Sequence, residues 1–167
     1  HQGGIALSAF LDINNNEVQD DEEPSVSGVE VAIQSGRVEQ LEADSIIYIT
    51  NLEPYLLHSL RVTSRGLDNI SWQPKYATYG VYIEPNQFKE LHLPIVIVGE
   101  VNGKMIKRTS RGEEGTGGVT IYFYESNGKL VDSTTTMAEG DYYFLGLKPG
   151  KYFATVDASL YKTLGFD

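Results

Sequence analysis

Apolar and polar side chains alternate along most of this chain in short runs with a period of two, the signature of strands with one buried face. Such runs cover Ile5 to Leu11, Gly28 to Gln34, Arg37 to Glu42, Ile46 to Asn51 and Leu56 to Ser64. They continue at Tyr79 to Glu84, Glu90 to Val101, Gly118 to Glu125, Lys129 to Thr136, Asp141 to Leu145 and Lys151 to Asp157. Between them stand Ser35-Gly36, Glu84-Pro85-Asn86, Ser126-Asn127-Gly128 and Lys148-Pro149-Gly150, which supply a positive φ, a preset φ or a local side-chain cap. Many short strands at close intervals predict an all-β sandwich.

The pattern also repeats. Gly28-Val29-Glu30-Val31-Ala32-Ile33 is echoed by Gly118-Val119-Thr120-Ile121-Tyr122-Phe123, each opening an early strand. Further on, Tyr48-Ile49-Thr50-Asn51-Leu52-Glu53-Pro54 is echoed by Tyr143-Phe144-Leu145-Gly146-Leu147-Lys148-Pro149, and a strand follows in both copies. The repeat predicts two tandem β-sandwiches, residues 1–97 and 98–167. Their junction, Leu91 to Val101, is apolar and β-branched where a flexible linker would be rich in Gly and Ser, so it predicts a pair held in a restricted orientation.

Composition narrows the function. A formal net charge of -10 argues against a nucleic-acid partner, which would call for clustered Lys and Arg, and favours cations. The chain has no cysteine, which removes disulfides and thiolate metal sites from consideration. No apolar run approaches the roughly 20 residues that cross a bilayer, so direct membrane insertion is not expected. The start, His1-Gln2-Gly3-Gly4, reads as the remnant of a purification tag, and the whole as a fragment of a longer polypeptide whose neighbouring domains are its first partners.

One loop has the spacing of a metal site. In Asp12-Ile13-Asn14-Asn15-Asn16-Glu17-Val18-Gln19-Asp20-Asp21-Glu22-Glu23, residues Asp12, Asn14, Asn16, Val18, Asp20 and Glu23 fall at positions 1, 3, 5, 7, 9 and 12 of an EF-hand-type calcium loop. A calcium ion takes six to eight oxygens at about 2.3–2.6 Å, and alternate residues of a curled loop point inward to offer them. Val18 would contribute its backbone carbonyl and Glu23 two carboxylate oxygens. Position 6, usually glycine, is Glu17, so either Asn16 or Glu17 is expected to carry the strain of the turn, at about 1 kcal/mol or more. Both flanks read as strands where an EF-hand would have helices, so the ion is expected to clamp a β-fold and to serve structure rather than catalysis.

Other candidates are weaker. His58 and His92 stand beside strand residues with no nucleophile elbow, which argues against Ser/His/Asp hydrolysis and against an enzyme. The stretch Asn102 to Gly117 offers Glu113 and Glu114 among Lys, Arg, Thr and Gly and reads as a mobile surface loop. Trp72, Tyr76, Tyr79 and Tyr82 cluster after Gly66-Leu67-Asp68-Asn69; packing is the expected role, with stacking on a glycan as the alternative.

The combination Phe10-Leu11-Asp12-x-Asn14-x-Asn16 through Asp20-x-x-Glu23-Pro24, then Val26-x-Gly28-Val29-x-Val31, resembles the serine-aspartate-repeat B-type domains of bacterial surface adhesins. The second half, with Gly118-Val119-Thr120-Ile121, Gly128-Lys129-Leu130-Val131 and Gly140 to Tyr152, resembles carboxypeptidase-regulatory-like and Cna-B-type modules. The resemblance implies Ig-like or transthyretin-like (prealbumin-like) sandwiches that act as stalk, spacer or display modules, with no enzyme activity. It implies a cell-surface, secreted or outer-membrane and periplasmic location. Some Cna-B-type relatives carry an internal isopeptide bond; Lys104 and Lys107 stand among polar residues and are expected to be solvated. The leading expectation is a calcium-stabilised spacer. Its rivals are an adhesion module that binds a host protein or glycan, and an accessory domain of an outer-membrane assembly protein.

Overall fold

A computed structural model describes residues 2–40 and 45–160. The chain is all-β and divides into two compact units, His1–Ile97 and Val98–Asp167. In the first unit the strands are β1 (Gly3–Leu11), β2 (Ser25–Val26), β3 (Glu30–Ile33), β4 (Arg37–Gln40), β5 (Ile46–Leu52), β6 (Leu57–Thr63), β7 (Trp72–Pro74), β8 (Thr78–Tyr82) and β9 (Phe88–Ile97). The second holds β10 (Gly99–Lys104), β11 (Ile106–Thr109), β12 (Gly112–Gly115), β13 (Thr120–Glu125), β14 (Leu130–Thr135), β15 (Asp141–Leu147) and β16 (Tyr152–Val156).

The first unit is a two-layer sandwich. One sheet runs β4-β5-β1-β9-β7, with β2 paired to the end of β1, and the other runs β3-β6-β8. Strand β1 is the axis of the larger sheet: antiparallel to β5 with Ile5 opposite Ile49, and parallel to β9 with Leu7 opposite Leu91. The period-two alternation sends Ile5, Leu7, Ala9 and Leu11 inward to meet Ile47, Ile49, Leu93 and Ile95 from the same sheet, and Leu60, Val62 and Val81 from the other. Each fully buried aliphatic side chain here is worth about 1.5–3 kcal/mol of transfer free energy. Trp72 and Tyr79 pack against this core and Tyr76 meets Tyr79 edge to face at 6.0 Å, while Tyr76 and Tyr82 stay about half exposed.

In the second unit β14-β13-β16 form one sheet, β10 and β15 pair in another, and β11 and β12 make a hairpin. Phe123 is buried and stacks on Phe144 at 4.9 Å, joining β13 to β15. Val119 and Ile121 complete the buried apolar set on that side.

Within the junction run β9 ends at Ile97 and β10 begins at Gly99, in different sheets, so the last strand of the first unit is followed almost at once by the first strand of the second. One expectation is corrected. Asn102 to Gly117 is not an irregular loop. Its start completes β10, and the rest folds into the β11–β12 hairpin, in which Lys107 faces Glu114 and Arg108 faces Glu113. The Arg108 guanidinium meets the Glu113 carboxylate at 2.9 Å, and such opposite-charge cross-strand pairs favour pairing where apolar contacts are few. Gly3 and Gly4 are buried residues of β1, opposite Leu52 and Phe88 respectively; His1 lies outside the described residues.

Candidate metal centre

The loop from Asp12 to Glu23 is closed at its base by the sheet. The Asp12 N–H donates to the Ile95 carbonyl of β9 at 2.8 Å, and the Leu11 N–H to the Pro24 carbonyl at 2.9 Å, so β1 and β2 fix where the loop leaves and returns. Asp12 and Glu23, the two end positions, are buried at 2% and 6% exposure, which for carboxylates demands partners. They find them in the loop's own backbone. Asp12 Oδ1 accepts the Asn16 N–H at 3.0 Å and Oδ2 the Glu17 N–H at 3.1 Å. Glu23 Oε1 accepts the N–H groups of Ile13 at 2.7 Å and Asn14 at 3.3 Å, while Oε2 accepts that of Asp20 at 3.2 Å.

The middle positions converge separately. The carboxamide nitrogens of Asn14 and Asn16 both donate to Asp20 Oδ2, at 2.6 and 3.0 Å, so three of the six expected side chains and carbonyls meet at one atom. Their carboxamide oxygens accept the N–H groups of Asn16 and Val18. Val18 turns its side chain outward at 62% exposure, the orientation of a residue that offers only a carbonyl. Asp12 and Glu23 therefore shape the loop, and Asn14, Asn16 and Asp20 gather over it.

The donor set fits a hard cation. All six are oxygen-bearing, two carboxylates are shielded from water, and a carboxamide can present its oxygen by turning over. Among the described residues no three His, Cys, Asp or Glu side chains are grouped to hold a metal, so a site here would have to draw on the asparagines as well.

The strain of the turn falls on Asn15, at φ 64°, and on Glu17, at φ 68°, not on Asn16. Glu17 has partners that its position in sequence does not reveal. Its Oε1 accepts the Tyr76 hydroxyl at 2.7 Å and lies 3.0 Å from Lys75 Nζ. These two hydrogen bonds, Tyr76 first, hold its carboxyl below the ordinary glutamate value, and the same bond pushes the Tyr76 phenol up. Lys75 also donates to the Asn15 carbonyl at 3.3 Å and stands 3.6 Å from Asp12 Oδ2. The residue that replaces the usual glycine thus ties the loop to the segment after β7. No spacing rule could have named Lys75 and Tyr76, which lie some 60 residues away in sequence.

The two internal histidines have structural partners. His58 is buried, with Nε2 2.8 Å from the Glu53 carbonyl and Nδ1 3.2 Å from the Ser35 hydroxyl. His92 lies on the outer face of β9, its Nδ1 2.8 Å from the Ser8 hydroxyl. Lys104 stands beside Asp141 at 3.8 Å on the surface, and Lys107 lies in the β11–β12 hairpin.

Residues 101–164, in the second unit, match the family model of the SdrD B-like domain. The chain thus resembles bacterial surface-protein modules of that type, with the match in the half of the chain that lacks the acidic loop. No curated protein matches it. Among solved structures, 93% of the chain aligns with the Bacillus anthracis TIE protein at 16% identity and a TM-score of 0.41, covering 28% of that chain. It aligns to the same extent with a streptococcal ancillary pilin, at 16% identity, a TM-score of 0.41 and 53% of that chain. GBS52, the minor pilin of Streptococcus agalactiae, aligns at 14% identity with a TM-score of 0.44, over 93% of this chain and 83% of that one. The chain therefore spans about a quarter of the first of these proteins and about half of the second.

Proposed function

We propose that this chain is a non-enzymatic structural module of a bacterial surface or secreted protein, a spacer between neighbouring domains, whose first unit is stabilised by a calcium ion in the loop Asp12 to Glu23. The observation that carries the calcium reading is the gathering of Asn14, Asn16 and Asp20 over a loop whose end carboxylates, Asp12 and Glu23, are buried and backbone-anchored. The family match supports the surface-module part. No helix among the described residues is long and apolar enough to cross a membrane.

Asp12, Asn14, Asn16, Asp20 and Glu23 would hold the ion with side-chain oxygens and Val18 with its carbonyl; what the ion supplies is cross-linking of a loop that the net charge of -10 tends to open. A ligand that binds only the folded loop adds RT ln(1 + [L]/Kd), about 2.7 kcal/mol at a hundredfold excess over Kd. Extracellular calcium would then act as a constitutive staple. Thermal melts of the chain with calcium and with chelator, repeated for Asp12→Ala and Glu23→Ala, test this. The expected result is a calcium-dependent rise in melting temperature that both substitutions abolish; an identical melt in chelator refutes the calcium reading.

A further inference from the structure

A second place in the first unit has the makings of a binding site, at the opposite end of β1 from the acidic loop. There the start of β1, the end of β5 and the turn before β9 enclose a shallow cleft of about 280 Å³, lined by Gln2, Gly3, Thr50, Asn51, Asn86, Gln87 and Phe88. Four of these seven are carboxamides, and no lining side chain carries a charge, which is unusual on a protein whose formal net charge is -10. Among the described residues none of the four carboxamides is engaged by another group of the protein through its side chain, so their donors and acceptors face solvent.

The walls are nonetheless fixed. The Asn86 N–H donates to the Gln2 carbonyl at 3.1 Å and the Gly4 N–H to the Gln87 carbonyl at 3.0 Å, lacing the chain start to the turn. Asn51, at the register shift near the end of β5, and Asn86, in the turn before β9, both occupy the left-handed region, at φ 61° and 58°, which an asparagine tolerates better than most residues.

Phe88 supplies the apolar part. Its ring lies over Gly4, where a β-carbon would collide with it, and Tyr48 meets it edge to face at 5.8 Å and 88°. Held on those sides, the ring remains 55% exposed beside the carboxamides. The outer face of the sheet continues the feature: Gly4, Ala6 and Ser8 on β1 are small, while Tyr48 on β5 and Phe88 and His92 on β9 flank them, so the middle of the sheet is lower than its sides.

This chemistry selects a ligand. A carboxamide presents one donor and one acceptor side by side, which matches a pair of neighbouring hydroxyl groups, each of which both donates and accepts. An exposed, immobilised aromatic ring suits the C–H face of a pyranose, since it adds apolar contact at little conformational cost. The absence of cations from the lining and the acidic surroundings disfavour sulfated or sialylated sugars. The volume falls just below the roughly 300 Å³ at which small-molecule sites begin, the scale of one ring at the end of a chain.

We infer that this cleft binds a neutral saccharide, with Phe88 as the stacking platform and Gln2, Asn51, Asn86 and Gln87 reading its hydroxyl groups. The site is independent of the calcium loop, since β1 separates them by about 25–30 Å at ~3.3 Å per residue.

The test is an array of neutral and anionic oligosaccharides probed with the full chain, followed by titration of the best neutral binder against variants. Neutral oligosaccharides should bind. Asn86→Gly, which keeps the positive φ, and Gln87→Ala should each weaken binding about fivefold to tenfold, the loss of one or two hydrogen bonds, without moving the melting temperature. Phe88→Ala should abolish binding and Phe88→Tyr retain it. The inference fails if no neutral oligosaccharide binds, if only anionic ones do, or if Asn86→Gly and Gln87→Ala leave the titration unchanged. Should Phe88→Ala unfold the unit by uncovering Gly4, those two surface variants decide.

Discussion

Glu17 occupies a backbone position where glycine is the unstrained choice, yet it is held there by Tyr76 and Lys75. Two opposing effects of similar size meet at this residue. A left-handed conformation costs an L-residue about 1–2 kcal/mol, and an exposed ion pair returns about 0–1 kcal/mol. Glu17→Ala keeps the strain and loses both bonds, whereas Glu17→Gly loses the bonds and relieves the strain. The glycine variant should therefore be more stable than the alanine variant by about 1 kcal/mol in urea denaturation, and close to the parent protein; the reverse order would show that the backbone at residue 17 stores no strain, and a glycine variant well below the parent would show that the Tyr76 and Lys75 contacts outweigh it. Tyr79 is the opposite case, a side chain with no electrostatic anchor. Its hydroxyl is buried without a hydrogen-bond partner, and burial, aided by Tyr76 and Glu17, pushes its phenol up to about 12. Because the folded value lies above the ordinary 10.0, the associated stability is complete below pH 10.0 and falls as pH rises through about 12. Phenolate absorbance should show one tyrosine ionising after the others, and Tyr79→Phe should remove that phase without loss of melting temperature at neutral pH, since a buried unpaired hydroxyl contributes nothing to hold.

At the scale of elements, the internal repeat places two glycines in equivalent positions with different surroundings. Gly28 and Gly118 both have positive φ, 86° and 77°, and each precedes a buried valine, Val29 and Val119. A β-carbon on Gly118 meets open space, but one on Gly28 would drive into the Gly66 backbone, and one on Gly66 into that of Gly28. Gly118→Ala should cost about 1–2 kcal/mol from conformation alone, and Gly28→Ala more than that because the backbone crossing must also part. Equal losses in urea denaturation would mean that the crossing relaxes freely. The repeat that sets up this comparison was legible in sequence because identical turn and valine positions need no tertiary knowledge. So were β1, β5, β6 and β13, whose alternation survives because one face of each meets a core. The two-residue β2, and β7 with its Pro74 at a sheet edge, carried too little pattern to be seen. The β11–β12 hairpin was hidden because it is built from charge pairs, and hydropathy is blind to those. The acidic loop shows the same division: its spacing named Asp12 to Glu23, while the anchors Lys75 and Tyr76 depend on how β7 lies against β9.

For the molecule as a whole, one tryptophan provides a way to watch the units separately. Trp72, the single tryptophan of the sequence, lies in the first unit and packs against its core, which is made entirely of residues from that unit. The candidate calcium loop is tied to the segment directly after Trp72 through Lys75 and Tyr76. Tryptophan fluorescence therefore reports unfolding of the first unit, whereas tyrosines on both sides of residue 97 contribute to circular dichroism from the whole chain. If calcium binds at Asp12 to Glu23, its stabilisation of about 2–3 kcal/mol at saturating concentration enters through the first unit alone. For a unit of about 100 residues that corresponds to a shift of roughly 8–24 °C in its melting temperature, since each kcal/mol moves the midpoint by about 4–8 °C. The fluorescence transition should move up with calcium by an amount in that range. The circular dichroism melt should split, with the component belonging to the second unit staying where chelator leaves it. A common shift of both signals would place the ion, or the cooperativity, beyond the first unit, and an unmoved fluorescence transition would remove the loop as the site.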